Sequence, residues 1–110
     1  MGDHFLLNLY GCDPDKLNNE KFLVGMLEQA VQVGKMTLLN LMTHKFEPQG
    51  ITAVALLSES HISIHTWPEE CSCAVDVYTC GENARPRLSC DLIIRELDCQ
   101  DPRVTHIKRI

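Results

Sequence analysis

Thirteen consecutive residues, Leu57 to Glu69, gather three serines, two histidines, two glutamates and a tryptophan near the middle of a 110-residue chain. A thiol, Cys80, follows fifteen residues after His65. A hydroxyl nucleophile, an imidazole base and a thiol are the parts needed for internal cleavage of a chain followed by covalent carbonyl chemistry. Ser60 and His65 are separated by an odd number of residues, so a regular strand would put them on opposite faces. For the two to cooperate, the chain must bend at Glu59-Ser60. Ser58-Glu59-Ser60 lacks strand-forming residues, which fits a bend. A strained peptide there would favour attack by a serine hydroxyl on the preceding carbonyl.

Strands must carry this stretch. Ile51–Leu57 is rich in β-branched and apolar residues, and His61–Trp67 alternates Ile62 and Ile64 against His61, Ser63 and His65. A further strand, Cys73–Cys80, sets Val75 and Val77 against Asp76 and Tyr78. Upstream, His4–Tyr10 alternates around Phe5, Leu7 and Leu9. Met36–Phe46 is apolar on both faces at its centre and is expected to be buried on both. Val104–Ile110 makes a last strand. Asp13-Pro14 starts a helix that runs to about Val33, burying Leu17, Phe22, Met26, Ala30 and Val33, and Gly34 caps it. A second helix, about Pro86 to Leu97, buries Leu88, Leu92, Ile93 and Leu97. Turns fall at Glu47–Gly50 and Pro68–Glu70. The order β-α-β-β-β-β-α-β predicts an α+β fold, a two-layer α/β sandwich whose mostly antiparallel sheet has its helices on one face. No repeat or linker divides the chain, so residues 1–110 read as one domain.

Composition narrows the function. A net charge of −5, with the basic residues scattered, speaks against a nucleic-acid partner. No apolar run is long enough to cross a bilayer, and Met1-Gly2-Asp3-His4 is not the start of a signal peptide, so a cytoplasmic location is expected. Without a secretory context the six cysteines are expected to be mostly reduced and inert. The spacing of Cys71, Cys73 and Cys80 is not a familiar zinc pattern, and no metal is expected. So small a core would gain from oligomerisation.

Several motifs taken together closely resemble the bacterial S-adenosylmethionine decarboxylases. They are Leu9-Tyr10-Gly11-Cys12-Asp13, His44-Lys45-Phe46, Pro48-Gln49-Gly50, Ser58-Glu59-Ser60-His61, Ile64-His65-Thr66-Trp67-Pro68-Glu69 and Asp76-Val77-Tyr78-Thr79-Cys80-Gly81. The resemblance departs at Glu70-Cys71-Ser72-Cys73 and at Ala53. It implies a proenzyme that cuts itself between Glu59 and Ser60 into a β chain, residues 1–59, and an α chain, residues 60–110. Ser60 would attack the Glu59 carbonyl, and His65 would remove the α-proton of Ser60. The product is a pyruvoyl group at position 60, which would form a Schiff base with the substrate amine and serve as electron sink. Cys80 would protonate the decarboxylated substrate. Phe46 and Trp67 match the aromatic rings that hold adenine, and Glu69 matches the carboxylate that binds the ribose. Thr52 stands where many members carry serine, with a hydroxyl to assist processing. The substrate implied is S-adenosylmethionine, feeding polyamine synthesis, and the assembly implied is a homodimer of αβ units. Two other readings are a related pyruvoyl enzyme acting on ornithine or arginine, and an unprocessed regulatory partner. Retention of Phe46, Trp67 and Glu69 speaks against the first, and retention of Ser60, His65 and Cys80 against the second.

Overall fold

The computed structural model describes residues Met1 to Ile110. Six strands, β1 (Gly2–Tyr10), β2 (Leu38–Lys45), β3 (Ile51–Leu57), β4 (Ser60–Trp67), β5 (Ser72–Thr79) and β6 (Asp101–Arg109), form one sheet in the order β2-β3-β4-β5-β1-β6. Every pairing is antiparallel. The period-two pattern explains the layering. Phe5, Leu7 and Leu9, Ala53 and Ala55, Ile62 and Ile64, and Val75 and Val77 are buried against the helices. The alternate residues, among them His4, Leu6, Thr52, Val54, Leu56, His61, Ser63, His65, Asp76 and Tyr78, stand on the opposite face, which no helix covers. This is the α+β sandwich expected.

The first helix is two. α1 (Pro14–Leu17) ends at Asn18, and Asn19 starts α2 (Glu20–Val33) by accepting the Phe22 N–H at 3.0 Å. A short polar side chain that can cap competes with the helix it would otherwise continue. The break rotates the buried stripe of α2. Leu23, Met26, Leu27, Ala30 and Val31 are buried, while Phe22 is only half-buried and Val33 is exposed. Helix α3 (Pro86–Glu96) buries Ser89, Cys90, Leu92 and Ile93, and Leu97 just beyond it. Leu88, expected inside, is 50 % exposed. Ser89 fills that role because its Oγ donates to the Ala30 carbonyl at 2.6 Å across the α2–α3 contact. Gly34 ends α2 with ordinary right-handed torsions. Glycine is required there by space, since a Cβ would lie 2.2 Å from Ser89 Oγ and 3.1 Å from Ala30 O.

Strand β2 lies at the sheet edge, not in its interior. Its apolar residues do not meet a core on both sides because one face of the sheet is uncovered, and Leu39 and Met42 are exposed. The other edge strand, β6, begins earlier than expected and lies exposed along its length. It pairs with β1 from Gly2↔Arg109 to Tyr10↔Asp101, and the N-terminal amine donates to Arg109 O at 2.9 Å. No helix is long and apolar enough to cross a membrane.

Candidate active site

A two-residue loop, Ser58-Glu59, joins β3 to β4, with Leu57 paired to Ser60. Such loops usually place positive φ at the loop residues to match the strand twist. Here Ser58 and Glu59 keep negative φ, and the mismatch falls on Ser60, at φ 154°, a torsion that residues with side chains rarely adopt. The expected distortion at Glu59-Ser60 is thus present.

Three contacts fix this peptide. The Cys80 N–H donates to Glu59 O at 2.9 Å. The Thr37 N–H donates to Glu59 Oε1 at 3.0 Å and holds that carboxyl below the usual carboxylate range. Ser58 N–H donates to Thr37 O at 3.0 Å. Gly81 leaves room for Glu59, whose Cγ would lie 2.7 Å from a Cβ there. Cys80 follows β5 with the parity of Asp76 and Tyr78, so it belongs to the uncovered face, and it is the exposed one among six free cysteines. The Cys80 thiol lies beside the Tyr78 hydroxyl and pushes that phenol's pKa up. Burial pushes Cys90 up to about 12, and the neighbouring Cys73 thiol raises Cys12. Cys90 and Cys12 are thereby held in the protonated, unreactive form.

The second cluster lies at the far end of β4. Thr52 Oγ1 and His65 Nδ1 share a hydrogen bond of 3.1 Å across the β3–β4 pair. The hydroxyl can donate or accept, so the contact orients the ring without fixing its tautomer. Thr52, His65, Phe46, Gln49, Gly50, Thr66, Trp67 and Glu69 line a cavity of about 390 Å³. Phe46 and Trp67 are 47 % and 44 % exposed, so neither is a core aromatic. Helix α1 holds this end rigid. Thr66 Oγ1 donates to Leu17 O at 2.9 Å and accepts the Ile51 N–H at 2.9 Å, and the Gly50 N–H donates to Asn18 Oδ1 at 3.0 Å.

The sequence-selected residues therefore fall into two groups. Glu59, Ser60 and Cys80 are together, and Phe46, Thr52, His65, Trp67 and Glu69 are together. Ser60 and His65 are not. The chain turns before Ser60 rather than after it, and five residues of extended β4 then separate the pair by roughly 16 Å at about 3.3 Å per residue. Sequence reasoning missed the Cys80 and Thr37 backbone donors, which depend on strand pairing. It also missed Tyr78, which shares a strand face with Cys80 and was open to a period-two reading.

The S-adenosylmethionine decarboxylase family model matches residues 3–110. A Prochlorococcus marinus (strain MIT 9313) S-adenosylmethionine decarboxylase proenzyme is 49 % identical over 109 residues, 99 % of this chain and 87 % of that protein. A proenzyme of the same name from Methanococcus maripaludis (strain S2 / LL) is 46 % identical, over 99 % of this chain and 89 % of its own. The crystal structure of the adenosylmethionine decarboxylase from Aquifex aeolicus superposes with a TM-score of 0.93 at 39 % identity, covering 99 % of this chain and 90 % of that one. By sequence along nearly its whole length and by fold, this chain belongs to the S-adenosylmethionine decarboxylase family.

Proposed function

We propose that the chain is a self-processing decarboxylase of S-adenosylmethionine, cleaved between Glu59 and Ser60 to give chains 1–59 and 60–110. The observation that carries this reading is the Cys80 N–H on the Glu59 carbonyl oxygen. When Ser60 Oγ adds to that carbonyl carbon, negative charge develops on the oxygen. A fixed backbone donor then acts as half of an oxyanion hole. Collapse breaks the Glu59–Ser60 amide and leaves an ester on Ser60 Oγ. Loss of the Ser60 α-proton expels the Glu59 carboxylate from Cβ, and hydrolysis of the dehydroalanine releases ammonia and leaves a ketone at residue 60. The unusual torsion at Ser60, its half-buried position at the hairpin and the two donors on the neighbouring Glu59 fit formation of that pyruvoyl group. Once formed, the ketone supplies an electron sink for loss of carbon dioxide from an amine-bearing substrate.

His65 is the base assigned to the α-proton, yet it lies too far along its own β4. A second copy removes the difficulty. Cys80 at one end and His65, Thr52 and Trp67 at the other all belong to the uncovered sheet face. That face also carries Met42 and Leu56, 60 % and 49 % exposed, together with Val54 and Leu6. Two such faces related by a twofold axis that runs across the strands would place the Ser60 end of one chain against the His65 end of the other. The protein is then a homodimer with two composite sites.

The open cavity with two aromatic walls and a carboxylate suits a nucleoside better than ornithine or arginine. Intact mass spectrometry and release of labelled carbon dioxide test the reading together. The wild type should yield two chains and decarboxylate S-adenosylmethionine, and Ser60→Ala should stay whole. A wild type that stays whole and inactive sinks it.

A further inference from the structure

Two flat rings hold a heterocycle by its faces and leave its edge unread. In the cavity between Phe46 and Trp67, most wall groups that could read an edge are already committed. Thr66 Oγ1 bonds Leu17 and Ile51, Thr52 Oγ1 bonds His65, and the Gly50 N–H bonds Asn18. Glu69, Gln49, His65 Nε2 and the Trp67 indole N–H remain, and the last two offer a single group each. A carboxylate only accepts and suits sugar hydroxyls, whereas a carboxamide presents an acceptor and a donor side by side. An adenine edge presents the complement, an amino donor beside a ring-nitrogen acceptor.

Gln49 is also held ready. Its turn is closed by the Phe46 N–H on Gly50 O at 2.8 Å and tied to the helix layer by Gly50 on Asn18. Gly50 itself must be glycine, with φ +104° and its would-be Cβ 3.2 Å from Thr66 O. The backbone that carries Gln49 is therefore fixed, and its side chain is exposed at the cavity.

We propose that Gln49 selects the base of the substrate, Oε1 accepting from the adenine amino group and Nε2 donating to the adjacent ring nitrogen. This rests on the S-adenosylmethionine reading above. The probe is the substrate analogue whose purine lacks the 6-amino group. Wild-type kcat/KM for it should fall on the order of tenfold below that for S-adenosylmethionine, the loss lying mainly in KM. Gln49→Ala should use the two substrates equally, near the wild-type value for the analogue. Gln49→Glu, which keeps the acceptor but lacks the donor, should fall between. Chain cleavage, which needs no base recognition, reports that each variant is folded. A wild type that decarboxylates S-adenosylmethionine but shows no preference, or a Gln49→Ala that keeps the preference, overturns the assignment of Gln49 alone. A wild type that cleaves itself but releases no carbon dioxide from S-adenosylmethionine overturns the substrate reading and this assignment with it.

Discussion

Cys80 brings two chemically separate groups to the proposed cleavage point, a backbone N–H on Glu59 O and an exposed thiol beside Tyr78. Substitution by alanine removes only the second. Cys80→Ala should therefore still cleave itself. If the thiol delivers the proton that follows loss of carbon dioxide, turnover should slow by roughly 10²- to 10⁴-fold, the usual range for a positioned acid. Gel analysis reads the first outcome and carbon dioxide release the second. An uncleaved Cys80→Ala chain would mean that the side chain, not the backbone, serves processing, and a fully active one would make Cys80 a bystander. At this scale the sequence displayed the side chains and hid the backbone donors. Types and spacing point to Ser60, His65, Cys80, Phe46 and Trp67. The N–H groups of Cys80 and Thr37 acquire a role only because the β3–β4 loop brings Glu59 onto them.

Elements were legible where one period ruled and illegible where two signals competed. Strands β3 and β4 follow their alternation almost residue for residue. In the first helical stretch, Asn18-Asn19 sits inside a pattern that still counts as helical, and the cap wins because tertiary contacts turn the chain there. β2 misled because apolar content does not say whether both faces of the sheet are covered. The α2–α3 contact yields a paired test. Gly34→Ala forces a methyl against Ser89 Oγ and Ala30 O and should destabilise the fold by about 1–3 kcal/mol. Gly25, inside α2, has nothing within 4 Å of a Cβ, so Gly25→Ala should stabilise by up to about 1 kcal/mol. Urea unfolding of both changes in the uncleaved Ser60→Ala background measures the difference. Equal effects would show that α2 and α3 do not pack at Gly34 as described.

For the whole molecule, the helices lie on one face of the sheet and the proposed site residues Cys80, His65 and Trp67 on the other, and the proposed second copy would cover that second face. No local pattern could show it, because alternation says which residues share a face and not what covers that face. Co-expression of Ser60→Ala and His65→Ala chains tests the composite site. A mixed dimer holds one site with both residues intact, so the His65→Ala chain should acquire a ketone-blocked 60–110 fragment, visible by intact mass. Each variant alone should acquire none. Failure of the pair to complement would return both residues to one chain and require β4 to rearrange. The pairing of Gly2 with Arg109 has a different consequence, one of connectivity. Because β1 and β6 end side by side, the backbone is almost a closed ring, and the gap between its first and last strands lies at the same end of the sheet as the proposed cleavage point, Asp3 pairing with Thr79 and Thr79 with Ser60. A circular permutant joined across the first and last strands and opened before Ser60 would keep every strand pairing of the processed enzyme. Its Ser60 would carry a free amine with no acyl group to migrate, so it would have the processed enzyme's fold without its prosthetic group, separating architecture from catalysis in one molecule.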